Sequence, residues 1–334
     1  HYYFKGAEII EYQDGTWKRV MPDGSGHQYY GNAEGEETLQ FRRGPHNPGV
    51  VFTFYDSQET AIDALLAGDI DYLPNPMPIS SEMREKVNQA TGVRTYANTD
   101  YDMFYLAFNF LHYPMSEYSF RQAFDILIDK ELLSVQVFDG TVKPLYSTMP
   151  EENYFWYADV GPTGSELTRA ERLNTAVQIL KNAGWSWDVE PYWDDFREDT
   201  VAGIGLRMPD GKYMSETSIV GPGYEYDPQR ANYNLLISEW ARDLGMPIKS
   251  DLIGRNAILD TVFLNAEYDM YIFGWSLGDP AFPDYYDTFW HSRNCTVDTG
   301  GRNAPCFKNE EYDALVDEFL KTSDPARAQE LHLQ

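Results

Sequence analysis

The segment 268–290, YDMYIFGWSLGDPAFPDYYDTFW, constrains the fold of this chain more than any other stretch. Its residues 270–275 form an unbroken apolar run that is too short for a helix and is followed by Gly278 and Pro280. Such a run is typical of a strand that is buried on both faces of an α/β sheet. The sequence therefore predicts an α/β fold with a central strand at residues 270–275.

The residues directly after this strand predict a binding site. The ligand site of an open α/β sheet lies just past the carboxyl ends of its strands. Ser276 and Asp279 follow the strand here, and the ring-bearing Phe282 and Tyr285 come next. A carboxylate in a loop walled by aromatic rings fixes a cationic group, while the rings supply apolar contact area. The pattern favours a binding pocket over a catalytic centre, and the structural alternative for Asp279 is a turn or helix-cap aspartate before Pro280.

Length and charge limit the partners that the chain can have. At 334 residues it exceeds the size at which single cores stop growing, so more than one unit is expected. Its 53 acidic and 26 basic residues give a formal charge of −27, which repels nucleic acid and anionic membrane surfaces. No apolar window reaches the length of a membrane span. The sequence therefore predicts no nucleic-acid partner and no insertion into a membrane.

Two cysteines, Cys295 and Cys306, lie in one polar loop. They have neither CxxC spacing nor a nearby pair of histidines, so the loop does not predict a metal site. A local disulfide is the favoured interpretation, and closing so short a loop stabilises a fold by roughly 2–3 kcal/mol. It also indicates an oxidising, extracytoplasmic compartment. Two unrelated reduced thiols are the alternative.

The order of elements along the chain supports the α/β interpretation. Residues 1–55 alternate short apolar segments with Gly-rich turns, which predicts several strands with hairpin connections, the last of them VVFTFY at 50–55. The pattern predicts a strand at 247–253, a helix at 258–263 and a strand at 270–275. In such a β-α-β unit the two strands should be parallel. No signal peptide opens the chain, and its last helical pattern is still running at Gln334. We therefore expect a fragment of a longer protein.

Motifs of catalysis are absent from the sequence. It contains no HExxH, no Gly-rich phosphate loop, no GxSxG and no EF-hand pattern. No cofactor and no metal site are predicted, and a non-enzymatic protein is the favoured interpretation. The rival is a secreted glycan-active enzyme, which the aromatic and acidic loops at 146–157 and 185–199 would suit.

Six sequence blocks, in order along residues 57–334, resemble a known family. The blocks are ETAIDALLAGDIDYL (59–73), LAFNF with FRQAFDILIDKELL (106–110 and 120–133), TAVQILKNAGW (175–185), SEWARDLGMPI (238–248), EYDMYIFGWSLGDP (267–280) and the tail NEEYDALVDEFLKTSDPARAQEL. They are similar to the family 5 extracellular solute-binding proteins of ABC transporters, which include oligopeptide-, dipeptide- and nickel-binding proteins.

The resemblance implies a periplasmic-binding-protein-like fold of class II, a two-lobed clamshell that closes on its ligand. Residues 1–72 would be the remaining, β-rich part of the first lobe, leading to a crossing segment near 71–76. Residues 73–334 would be most of the second lobe, truncated at its C-terminal end. The rest of the first lobe, with the secretion signal and lipid-anchor region, would precede His1. The implied location is periplasmic or on the cell surface as a lipoprotein.

The resemblance also assigns residues to the ligand. In the peptide binders an aspartate shortly after a GW pair grips the ligand's α-amino group, and the matching position is Asp279, with Trp275 in the pair. Three residues separate the two here instead of two, and Ile272 stands where some oligopeptide binders carry an arginine for a ligand carboxylate. Tyr105 is a further candidate contact.

The expected partners are a small-molecule ligand and an ABC permease, and the protein is expected to be a monomer. Peptide is the first choice of ligand and an oligosaccharide, stacked on the aromatic residues, is the alternative. A receptor that signals by docking to a membrane partner, without transport, is a third possibility.

Overall fold

The computed structural model describes residues 6–44, 46–47, 49–74, 79–96, 101–158, 160, 164–277 and 282–334. The chain divides into two compact units, residues 1–61 and 62–334. Helix α1 (Gln58–Ala67) spans the division between them. The lobe boundary predicted after residue 72 stays a prediction, and residues 75–78 of the predicted crossing segment lie outside the described residues.

The first unit contains a four-stranded antiparallel sheet with the order β3-β2-β1-β4. Its strands are β1 (Glu8–Tyr12), β2 (Trp17–Val20), β3 (Gly26–Tyr30) and β4 (Glu37–Arg42). The β1–β2 turn has Gly15 at φ +76°, in the left-handed region that favours glycine. Asp14 Oδ1 accepts a hydrogen bond from the Thr16 amide at 3.0 Å, which closes this Asp-Gly turn. The prediction of strands with hairpin connections for residues 1–55 is therefore confirmed over residues 8–42.

The strand predicted at residues 50–55 does not form. The segment pairs with no strand among the described residues, and Val51 and Phe54 are 90% and 94% exposed. A strand needs a neighbour for its backbone N–H and C=O groups, and alternating sequence alone does not supply one.

The second unit is built on a sheet with the order β5-β10-β8-β9. Its strands are β5 (Asp102–Phe108), β8 (Thr217–Pro222), β9 (Ile248–Ile253) and β10 (Met270–Ser276), and a separate hairpin consists of β6 (Tyr192–Asp194) and β7 (Asp199–Val201). β10 runs parallel to β8, β8 runs parallel to β9, and β5 runs antiparallel to β10. The predicted strands β9 and β10 are thus parallel but are not neighbours, since β8 lies between them.

Helices pack on both faces of this sheet. The helices of the second unit are α2 (Ser81–Gln89), α3 (Tyr118–Leu127), α4 (Lys130–Gln136), α5 (Arg169–Asn182), α6 (Pro228–Asp243), α7 (Arg255–Ile258, continued by a π-helical turn Leu259–Leu264), α8 (Tyr285–Trp290), α9 (Thr296–Thr299), α10 (Glu310–Phe319) and α11 (Pro325–His332). Apolar side chains of α3, α5 and α6 pack with Met270 and Ile272 on one face, and Ile258 and Val262 pack with Tyr271 and Phe273 on the other. β10 is therefore buried on both faces at residues 270–273 and becomes accessible towards its carboxyl end.

Two arginines of α5 complete the C-terminal end of α3. Arg172 Nη1 donates to the carbonyls of Ile126 and Ile128 at 3.2 Å each, and Arg169 Nη1 donates to the Leu127 carbonyl at 2.9 Å. The last carbonyls of a helix have no partner within the helix. A neighbouring helix supplies these partners here, and the contacts fix α3 against α5.

Candidate ligand-binding site

The carboxyl end of β10 brings two of the predicted site residues together. Side chains alternate along a strand, so Phe273 and Trp275 point to the same face of the sheet, and Tyr105 on β5 lies opposite Phe273 in the register. Trp275 Nε1 donates a hydrogen bond of 2.9 Å to the Tyr105 hydroxyl. The Tyr105 hydroxyl in turn lies 3.1 Å from that of Tyr271. Trp275, Tyr105 and Tyr271 therefore form one hydrogen-bonded chain.

Aromatic rings and one cation surround Trp275. The centroids of Phe289, Phe263 and Phe273 lie 5.0, 5.7 and 5.4 Å from its ring centroid. Arg302 Cζ lies 5.3 Å from the same ring, in the range of a cation–π contact. We call Trp275 with these four neighbours the aromatic ledge. Because the four neighbours contact the ring of Trp275 from several sides, the accessible part of this ring is a rigid apolar surface at the end of the central strand.

Sequence reasoning did not find Arg302. This arginine lies in the loop between Cys295 and Cys306, which the structure joins in a disulfide. Inside the loop, Asn303 Nδ2 donates to the carbonyls of Trp290, His291 and Phe307 at 3.2, 3.2 and 2.8 Å. The sequence signal that could have pointed to Arg302 is the short loop closed by the two cysteines, because a closed loop holds its residues in a fixed conformation. No local pattern, however, connects that loop to β10.

Two other predicted site residues lie in a different cluster. Phe282 is 50% exposed and stacks on Phe319 at 4.9 Å. Tyr285 is 6% exposed, and its hydroxyl donates to the Thr148 carbonyl at 3.1 Å. Both residues pack with Trp156, and Phe289 of the aromatic ledge adjoins this cluster, its ring centroid 6.4 Å from that of Tyr285. Phe282 therefore offers an accessible ring, whereas the hydroxyl of Tyr285 already has a partner inside the protein.

Ser276 and Asp279 complete the set of predicted site residues. Ser276 is the last residue of β10 and is exposed. Asp279 lies outside the described residues, which stop at 277 and resume at 282. The structure thus gathers Trp275, Tyr105 and Ser276 at one strand end, and the assignment of Asp279 to a ligand stays a prediction.

The Tyr105 hydroxyl is neutral over the physiological range of pH. Burial raises the pKa of Tyr105 to about 12, and it outweighs the hydrogen bonds from Tyr271 and Trp275, which act in the opposite direction. Tyr105 therefore serves as a hydrogen-bonding phenol that holds Trp275 in place, and it does not supply negative charge to the site.

Alkaline pH is expected to weaken the fold through Tyr105. Its pKa rises from 10.0 in the unfolded chain to about 12 in the folded one, so the stabilisation is complete below pH 10 and is lost as the pH rises to about 12. The midpoint of thermal unfolding should fall over that interval, and Tyr105→Phe should make the fall shallower. Tyr154, which is 87% exposed, gives the matched control Tyr154→Phe, which should leave the slope unchanged. Equal slopes for the wild type and Tyr105→Phe would contradict this assignment.

Neither a candidate metal site nor a membrane-spanning helix is found among the described residues. Among these residues no group of three or more His, Cys, Asp or Glu side chains is arranged to hold a metal ion. Nor does any helix there combine the length and apolarity needed to cross a membrane.

Solved structures of binding proteins share the fold of this chain. The oligopeptide-binding protein AppA of Bacillus subtilis, in complex with a nonapeptide, matches with a TM-score of 0.64 at 20% identity, over 98% of this chain and 57% of AppA. A periplasmic oligopeptide-binding protein from Thermotoga maritima, with mannohexaose bound, matches with a TM-score of 0.60 at 18% identity, over 83% of this chain and 49% of that one. These likenesses show the fold, and the predicted periplasmic-binding-protein-like α/β class is confirmed.

Sequence comparison places the chain in a family. It is 26% identical to AppA over 327 residues, which cover 95% of this chain and 54% of AppA. It is 21% identical to the dipeptide-binding protein of Pseudomonas aeruginosa over 286 residues, which cover 85% of this chain and 46% of that protein. The model of the bacterial extracellular solute-binding proteins, family 5 (Middle), matches residues 28–296. The chain belongs to this family, as its sequence blocks predicted. It spans about half the length of these curated relatives.

Proposed function

We propose that this chain is part of an extracytoplasmic substrate-binding protein of an ABC importer, which binds peptides and delivers them to a membrane permease. The match of residues 28–296 to the solute-binding family carries the proposal. Its relatives AppA, an oligopeptide-binding protein, and the dipeptide-binding protein of Pseudomonas aeruginosa support peptide as the ligand class. In this role the protein catalyses no reaction, acts as a monomer, and works in the periplasm or on the cell surface.

The proposed mechanism is closure of two lobes around the ligand. Residues 1–72 belong to the first lobe and residues 73–334 to the second, with the crossing segment near 71–76. A ligand shifts a protein towards the closed state only as far as it binds that state more tightly than the open one. Contacts at the carboxyl end of β10 provide this difference when the opposite lobe covers them.

Each site residue has a distinct part in the proposal. Asp279 fixes the cationic amino terminus of the peptide, and the accessible surface of Trp275 supplies apolar contact. Tyr105 holds the Trp275 ring through its hydrogen bond of 2.9 Å. Ser276 offers a hydroxyl at the end of the strand, and the accessible ring of Phe282 forms the wall beyond it, while the buried Tyr285 supports that wall from inside the protein.

An oligosaccharide is the alternative ligand. Sugar rings stack on aromatic side chains, and the aromatic ledge presents such a surface. The Thermotoga maritima protein, which shares the fold, was solved with mannohexaose bound. This alternative keeps the receptor role and removes Asp279 from the recognition of an amino group.

The test is to identify what the protein carries. The full-length gene product would be expressed, purified under native conditions and denatured, and the released small molecules identified by mass spectrometry. We expect peptides with free amino termini, and we expect Asp279→Ala to lose most of them because the buried cationic end would have no counter-charge. Asp284→Ala is the matched control, since it removes a carboxylate five residues away, at the start of α8.

Each other result rejects a specific part of the proposal. Release of sugars would establish the oligosaccharide alternative. Peptides retained by Asp279→Ala would remove that aspartate from its role. Turnover of an oligosaccharide by the pure protein would replace the receptor with the glycan-active enzyme.

A further inference from the structure

Arg302 is the cation of the aromatic ledge, and it lies over the ring of Trp275. Its guanidinium carbon is 5.3 Å from the ring centroid, while the residue as a whole is exposed. The face of an indole ring carries a negative electrostatic potential, which makes tryptophan the best of the aromatic residues for binding a cation. The protein itself therefore places a positive charge on the ring that it offers to the ligand at the end of β10.

Arg302 differs from the next basic residue along the chain in having no acidic partner. That residue, Lys308, pairs with Asp298, whose Oδ2 lies 2.6 Å from the lysine Nζ. In the described part of the chain no carboxylate forms a salt bridge with Arg302. Its charge is therefore not neutralised there, and it acts on any charged group that approaches Trp275.

The loop between the two cysteines holds Arg302 in this position. The next residue, Asn303, is fully buried, and its side-chain amide donates to three backbone carbonyls at 2.8–3.2 Å. Ala304 is 1% exposed and belongs to the apolar cluster against which Trp275 packs. The backbone from which Arg302 projects is thus fixed beside β10, so its charge stays close to the ring.

The rest of the chain favours basic ligands. With a formal charge of −27 it attracts positively charged peptides whatever their sequence. A tryptophan ring without a cation over it would add a specific site for a lysine or arginine side chain. Arg302 opposes both effects at one place, because it already lies over the ring and repels a second cation. The surroundings of Trp275 are therefore unfavourable for a basic group, although the chain as a whole attracts one.

We infer that Arg302 is a specificity-determining residue, which excludes basic ligand side chains from Trp275. The inference rests on the proposed function and deepens it, because it defines which peptide side chains the aromatic ledge accepts. In this role Arg302 does not hold the ligand. It raises the free energy of one class of complex, and repulsion of unwanted ligands is one of the two ways in which a site becomes specific.

The test is a lysine scan of one peptide. Tetra-alanine would be prepared with lysine at each of its four positions in turn, and with norleucine, an uncharged side chain of similar length, at the same positions. Each peptide is titrated calorimetrically into the ligand-free, full-length gene product. At the position that lies on Trp275, lysine should bind roughly 10-fold more weakly than norleucine, because two like charges meet at the ring. At the other positions lysine should bind at least as tightly as norleucine, because the chain is acidic.

Variants of Arg302 assign the penalty to its charge. Arg302→Gln should remove the penalty and let lysine bind at least as tightly as norleucine, since the ammonium group then lies on the vacated ring. Arg302→Lys keeps the charge and should keep most of the penalty. Arg197→Gln removes an equal charge from an exposed arginine between β6 and β7, so it is the matched control and should leave the penalty unchanged.

The ratio of the two affinities separates specificity from a structural role. If Arg302 only held Trp275 in place, Arg302→Gln would weaken the lysine and norleucine peptides by the same factor, and their unchanged ratio would overturn the inference. A wild type that binds lysine as tightly as norleucine at all four positions would also overturn it and leave the peptide receptor intact. Failure of the wild type to bind any of these peptides would count against the peptide receptor and the inference together.

Discussion

Replacing Arg172 with alanine is expected to lower the free energy of unfolding by about 3–5 kcal/mol, because it breaks a buried network of charges and carbonyls. Arg172 is 1% exposed, and its Nη1 binds the carbonyls of Ile126 and Ile128 at the end of α3. Its Nε lies 3.4 Å from Asp129 Oδ2 and its Nη2 lies 3.6 Å from Glu131 Oε2, at the start of α4. The truncation leaves two carbonyls and the partly enclosed Asp129 carboxylate without this cation.

Two further variants serve as controls for the measurement on Arg172→Ala. Arg197 is 72% exposed and lies 3.6 Å from Asp194, so Arg197→Ala should cost less than about 1 kcal/mol. Arg172→Lys keeps the charge but lacks the planar fork that reaches two carbonyls, so its loss should be intermediate. Urea unfolding of the full-length gene product, followed by tryptophan fluorescence, measures all three. Similar midpoints for Arg172→Ala and Arg197→Ala would show that the buried network does not hold α3, α4 and α5 together.

Local patterns in the sequence were sufficient for most individual elements of the second unit. The apolar run at 270–275 became β10, with residues 270–273 buried on both faces. The Asp-Pro pair at 227–228 became the cap and first turn of α6, where Asp227 Oδ1 accepts from Arg230 at 2.9 Å. These features are decided by residues within one or two turns of each other, so the sequence contains them directly.

Features that depend on distant partners were missed. The short segment of β8, TSIVGP, has too few residues for a periodic signal, yet it separates the two strands that the sequence paired as a unit. The segment 50–55 has a strand-like sequence and forms no strand. The pair Arg169 and Arg172 was a usable signal, because two cations in the first turn of a helix oppose its dipole and require partners elsewhere. Their partners, the carbonyls of α3, follow only from the packing.

The candidate site also combines residues that the sequence predicts with contacts that depend on distant parts of the chain. Trp275 was predicted from the resemblance of its GW pair to that of the peptide binders, and Tyr105 was a further candidate contact. Their hydrogen bond of 2.9 Å depends on the antiparallel register that places Tyr105 opposite Phe273, and no local sequence specifies that register. Tyr285 was predicted to line the site because it follows the central strand in a ring-rich segment. The structure shows that its ring is buried and that its hydroxyl donates to the Thr148 carbonyl.

Trp275→Ala is expected to weaken binding of tetra-alanine to the full-length gene product by at least roughly 30-fold, the effect of losing a central aromatic contact worth about 2 kcal/mol or more. The ring is partly buried, and Phe289 and Arg302 hold it at 5.0 and 5.3 Å. A ring that is fixed in the free protein loses little conformational entropy when the ligand binds, so its contact area contributes efficiently to affinity. Calorimetric titration measures the loss.

Trp275→Phe separates the contact surface from the hydrogen bond that positions it. Phenylalanine retains most of the apolar area and removes the donor to Tyr105, so binding should weaken by less than about 5-fold if contact area dominates. Trp193→Ala is the matched control, because it removes a partly buried tryptophan from β6, outside the aromatic ledge, and should leave the affinity unchanged. Because Trp275 also packs on Phe263 and Phe273, the thermal midpoint of each variant is measured alongside its affinity. Trp275→Ala protein that is folded and binds like the wild type would show that the ledge supports the fold alone and that the ligand contacts lie elsewhere on the lobe.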